Sequence, residues 1–116
     1  MKANAQSDHQ ILVDEFGILL TQCLCCGEVE LYFRGIAMAL NLTDLYALVT
    51  RLEDMPAASN YLLGLLDLRD VPVQVGFQAV GLQLTENERH QLLNGLHQAC
   101  LRLDLNLMMR GKLPLN

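Results

Sequence analysis

Apolar and polar positions along this chain fall into short strand-like stretches and two longer helical ones. Gln10 to Val13 and Ile18 to Gln22 read as two strands around the turn Asp14-Glu15-Phe16-Gly17. Val29-Glu30-Leu31-Tyr32-Phe33 is a third strand, turning at Arg34-Gly35, and Leu40, Asn41 and Leu42 alternate in strand fashion. Thr43 is expected to cap the first helix, with Asp44 favoured at its positive end. Leu45, Leu48, Val49 and Leu52 then form one apolar stripe at helical spacing. Pro56 lies just past that helix, and Ala57-Ala58-Ser59-Asn60 reads as a linker. A second helix begins at the capping box of Thr85 and Glu88, and its expected stripe is Leu92, Leu93, Leu96, Ala99, Cys100 and Leu103. Gly95 inside it implies either close helix–sheet contact or, the plainer reading, a weakness of roughly 1 kcal/mol against Ala.

The chain repeats itself. Leu40-Asn41-Leu42-Thr43-Asp44 and Leu82-Gln83-Leu84-Thr85-Glu86 match residue type for residue type, each after a strand-like stretch and before a helical one. Two copies are too few for a solenoid. They predict an α+β fold: a duplicated ββα unit, at about 28–55 and 71–104, preceded by a β-hairpin. The expected architecture is one shared antiparallel sheet of about five or six strands, with two helices on one face. Residues 1–9 are expected to be a flexible segment and 10–116 a single domain. Tyr61 to Leu68 is nearly all apolar, and periodicity alone leaves it as a buried strand or a short helical turn. The tail after Asp104 carries Leu105, Leu107, Met108, Met109, Leu113 and Leu115. It is expected to pack on the domain or on a second copy.

Composition narrows the function classes. Apolar residues make up 52% of 116, enough for a core without disulfides, while aromatics are 5% and Trp is absent. A base-stacking nucleic-acid surface needs exposed rings, so it is disfavoured. Thirteen acids against eight bases give a net charge of -5, which argues against both a phosphate backbone and an anionic membrane surface. The first ten residues lack the apolar stretch of a signal peptide, and no run approaches the length of a membrane span. A cytoplasmic setting is therefore expected, where structural disulfides are rare.

The chemistry-bearing residues gather in Cys23-Leu24-Cys25-Cys26-Gly27. Cys23 and Cys26 have the Cys-x-x-Cys spacing that lets a tight turn aim two sulfurs the same way. A zinc site would use Cys23 and Cys26, with Cys25 and His9 as further candidate ligands; His9 can approach the cluster across the first hairpin. Cys100 falls on the predicted buried stripe, and His90 and His97 on a solvated helix face. A thiol-redox role is the alternative, though no helix follows the cysteines and the acidic neighbours are expected to raise a thiol pKa. The third reading is packing alone, in a tight β-connection. Ser7 and Ser59 lack a nucleophile-elbow pattern, the acid pairs have ordinary structural places, and there is no phosphate-binding or dinucleotide glycine fingerprint.

The order of Cys23-x-x-Cys26, the strand Val29–Phe33, Leu40-x-Leu42-Thr43 and Leu82-x-Leu84-Thr85-x-x-Glu88 resembles a family of short uncharacterised bacterial proteins, a domain of unknown function. That resemblance implies that Cys23 and Cys26 are the family cysteines, and it brings no activity. Arg89 departs from the pattern, which has an apolar residue after the capping Glu. The expected function is a non-enzymatic interaction or regulatory module that engages a protein partner or self-associates as a homodimer. The alternative is a zinc-binding or thiol-redox protein using Cys23 and Cys26.

Overall fold

A computed structural model describes residues 8–72 and 76–109. The elements are β1 (His9–Glu15), β2 (Ile18–Cys23), β3 (Val29–Phe33), β4 (Ile36–Leu40), α1 (Leu42–Glu53), β5 (Asn60–Asp67), β6 (Ala79–Thr85) and α2 (Glu86–Met109). All strand pairs are antiparallel, so the fold is α+β. The single shared sheet does not form. β1-β2-β3-β4 make a four-stranded meander, and β5-β6 a separate two-stranded ribbon.

Alternation explains the meander. Ile18, Leu20 and Gln22 of β2, and Val29, Leu31 and Phe33 of β3, point inward. Leu12 is an extra residue in β1, where the register shifts between Ile11 and Val13. That bulge lets the adjacent Leu12 and Val13 both be buried. At the β3–β4 turn Arg34 takes a left-handed φ of 52°. Its guanidinium donates to the Gln83 carbonyl at 3.0 Å and lies 3.1 Å from the Glu88 carboxylate, tying this turn to the β6–α2 junction.

Asn41, not Thr43, caps α1: its Oδ1 accepts from the Asp44 amide at 2.7 Å. The alternation of Leu40, Asn41 and Leu42 mimicked one more strand residue. In fact β4 stops at Leu40, and Leu42 already belongs to the helix. The buried residues of α1 are the expected Leu45, Leu48, Val49 and Leu52. The capping box of α2 forms as read, with Glu88 Oε1 accepting from the Thr85 amide at 2.8 Å and Thr85 Oγ1 from the Glu88 amide at 3.2 Å. Leu92, Leu96, Ala99 and Leu103 are buried, with Leu93 and Cys100 at the half-buried margin of the stripe.

The strands of the second half lie elsewhere than expected. Tyr61 to Leu68 supplies β5, and Asn60 is a strand residue rather than linker. Val71 and Pro72 belong to the connection between β5 and β6; Val73–Val75, expected as strand, lie outside the described residues. Likewise β1 begins within the segment expected to be flexible. The tail continues α2 as far as Met109, with Leu105, Leu107, Met108 and Met109 exposed. Asn106 donates to Gln10 Oε1 at 3.1 Å, so this end of α2 reaches β1. Leu113 and Leu115 lie outside the described residues.

α2 packs on β1 and β2 of the meander, on both strands of the ribbon, and on α1. One apolar cluster therefore includes residues from both sheets and both helices. Arg89, the departure from the apolar pattern, has a structural use. Its Nη1 donates to the Leu52 carbonyl at the end of α1 at 2.8 Å, and its guanidinium lies 5.0 Å above the Tyr61 ring. Tyr61 in turn donates its hydroxyl proton to Glu86, which also faces Arg89.

Candidate functional site

The cysteine cluster occupies the connection between β2 and β3. The Cys23 amide donates to the Glu28 carbonyl at 2.8 Å and the Gly27 amide to the Cys23 carbonyl at 2.8 Å, closing a tight loop over Leu24–Gly27. Gly27 holds φ at +81°, a conformation that side chains oppose, so a glycine ends the loop. Gln22 Nε2 adds a bond to the Gly27 carbonyl at 3.2 Å. On the other side the Leu24 amide donates to the Asp8 carbonyl at 2.6 Å, fastening the loop to β1.

This loop brings the sulfurs of Cys23, Cys25 and Cys26 within 4.8 Å of one another. Cys23 and Cys25 sulfurs are 3.1 Å apart. Cys25 and Cys26 are exposed and Cys23 half-buried. Packing alone therefore does not account for Cys25 or Cys26: their side chains meet water. Thiol hydrogen bonds from Cys25 and Cys26, joined by the amides of Cys26 and Cys25, hold the Cys23 thiol down at about 7. The same bond to Cys23, and the negative charge Cys23 then carries, push Cys25 up to about 11, with Asp8 adding a little. The expectation that acidic neighbours raise the thiol pKa fails for Cys23, where hydrogen bonds outweigh burial, and at Cys25 the rise comes mainly from Cys23, with Asp8 the smallest contribution.

A labelling prediction follows from the Cys23 environment. Its alkylation rate should climb through pH 7 and level off above it, because the thiolate fraction saturates there. Mass-resolved iodoacetamide labelling across pH 5–9 checks this. A Cys23 rate still rising steeply between pH 8 and 9 contradicts it.

The remaining candidates are not in the cluster. Cys100 is half-buried on α2, and burial pushes its thiol up. His90 sits 2.8 Å from the Glu86 carboxylate and His97 2.8 Å from Glu53. His9 is exposed at the start of β1, opposite Cys23 in the β1–β2 register, and outside the three-sulfur group. Cys25, which the Cys-x-x-Cys spacing treats as optional, has its sulfur 3.1 Å from that of Cys23. Sequence spacing missed this because the loop curls back at Cys23 rather than entering a helix.

A second feature is the outward face of the β5–β6 ribbon. Leu62 is 74% exposed there, whereas Leu66 and Val80, although they also meet solvent, share the inward face with Leu82 and Leu84. Beside it an apolar groove of about 560 Å³ runs between β4, α1 and β5, past Met38, Leu48 and Leu65, with Asp44 and Arg51 among its lining residues. No helix among the described residues is long and apolar enough to cross a membrane.

No protein-family model, curated protein or solved structure matches this chain.

Proposed function

We propose that this chain is a non-catalytic metal-binding module in which Cys23, Cys25 and Cys26 hold one zinc ion as thiolates. One observation carries the reading: three sulfurs, largely exposed, within 4.8 Å of one another in a hydrogen-bonded loop. Zinc–sulfur bonds of about 2.3 Å in a tetrahedron set the sulfurs about 3.8 Å apart. The cluster brackets that spacing, so small side-chain shifts suffice. Hydrogen bonds from the Cys25 and Cys26 thiols, and then from their amides, favour the Cys23 thiolate, the form that binds metal. A reducing, cytoplasmic setting keeps such thiols available. The redox alternative has less support, since the cysteines lie in a β2–β3 connection and no helix among the described residues begins there.

Native mass spectrometry of the reduced protein titrated with zinc tests it. One zinc per chain is expected, with proton loss as the thiols ionise. Uptake no greater than that of a Cys23→Ser, Cys25→Ser, Cys26→Ser variant overturns it.

An interaction module is the second reading, favoured by Leu62, which stands 74% exposed on the outer face of the ribbon. A two-stranded ribbon is marginal on its own, and a second copy of this chain laid against the exposed Leu62 would cover its outer face. Light scattering is expected to give a dimer mass for the native chain and a monomer mass for Leu62→Asp. A native monomer at all concentrations removes the reading.

A further inference from the structure

A closed zinc site takes four ligands, and the loop supplies three. Every Cys, His, Asp and Glu of the chain lies among the described residues, and none of the others joins the three-sulfur group. We infer that His9, on the neighbouring strand, is the fourth ligand, making a Cys3His site that staples β1 to the β2–β3 connection. This rests on the zinc reading above.

The backbone places His9. The amide and carbonyl of Cys23 both bond towards Glu28 and Gly27, away from β1. The His9–Cys23 pair is therefore of the non-hydrogen-bonded kind, in which the two Cα atoms approach to about 4.5 Å and the side chains share one face. The 2.6 Å bond from the Leu24 amide to the Asp8 carbonyl keeps the strands together just beyond this pair. The His9 side chain makes no hydrogen bond or ion pair among the described residues, whereas His90 and His97 both face carboxylates. Its exposed ring can turn about its side-chain bonds to put a nitrogen over the sulfurs. Asp8 is the competing candidate, since its charge is felt at Cys25. An imidazole suits zinc beside thiolates better than a flexible surface carboxylate.

Cobalt(II) as a spectroscopic probe, followed by zinc competition, tests the assignment on the full chain, its His9→Ala variant and its Asp8→Asn variant. The native chain should show the intense visible bands of tetrahedral cobalt with thiolate charge transfer. In His9→Ala the thiolate charge-transfer band should remain, the visible bands should shift as water replaces nitrogen, and zinc affinity should fall roughly a hundredfold. Asp8→Asn should match the native chain. Unchanged spectra and affinity in His9→Ala overturn the His9 assignment while leaving the three-thiolate site in place, as does a loss confined to Asp8→Asn. No thiolate band in the native chain sinks the underlying zinc reading as well. Far-UV circular dichroism confirms that the variants fold.

Discussion

Replacing Cys23 and Cys26 together by serine is expected to weaken zinc binding by about four decades. Zinc-finger sites hold the ion with roughly 10–16 kcal/mol at pH 7, or about 3 kcal/mol per ligand. Two lost thiolates then remove about 6 kcal/mol, and each 1.4 kcal/mol is tenfold. The effect on folding should be much smaller. Three of the ligands lie within four residues, so the unfolded chain keeps much of its own affinity, and binding to that state cancels part of the stabilisation. On the proposed site, only His9 and the closed loop would couple metal to the folded state. Zinc should therefore raise the melting temperature of the native chain by a few degrees, and that of the double variant not at all. Competition against a zinc chelator, with thermal melts of both proteins, checks the pair of results. Equal affinity in the two chains counts against the thiolate site.

Gly95→Val is expected to cost about 3 kcal/mol or to prevent folding, the upper part of the usual overpacking range. A Cβ at position 95 would stand 2.5 Å from Ile18 Cδ1 and 3.4 Å from its Cγ1 and Cγ2. Ile18 is 3% exposed, so its terminal methyl has little room to retreat. Gly95→Ala should be milder, because one methyl must be displaced and alanine returns about 1 kcal/mol of helix propensity. Removing the obstructing methyl with Ile18→Val should recover part of the loss in the Gly95→Val chain. Chemical denaturation of the four proteins decides it. A neutral Gly95→Val would mean that α2 does not lie this close to β2.

The plainer reading of Gly95, a helix weakness, was thus the wrong one. A glycine looks the same in sequence whether it meets solvent or a neighbouring strand, and only the placement of Ile18 distinguishes them. The helix stripes were legible because burial on a helix recurs every three or four residues, and Leu45, Leu48, Val49 and Leu52 have no competing pattern. The Thr85–Glu88 box was legible because both partners are local. Asn41 was not, since its neighbours Leu40 and Leu42 imitate a strand. The split into two sheets depends on how α2 bridges meander and ribbon, a long-range matter that no local period encodes. Arg89 departs from the pattern of the family the sequence resembles, and the Leu52 carbonyl and the Tyr61 ring are its partners in the fold. At the candidate site the spacing of Cys23 and Cys26 pointed to the loop in which three sulfurs gather. The inclusion of Cys25 came from the loop's curl, and the facing of His9 and Cys23 from strand register.

The most direct measurement is the metal content of the chain purified without chelator, by elemental analysis, beside a thiol count under native conditions. One zinc per chain, with three of the four thiols protected until a chelator is added, is the predicted result. No metal, with Cys23, Cys25 and Cys26 all freely reactive even after zinc is supplied, would contradict the zinc reading.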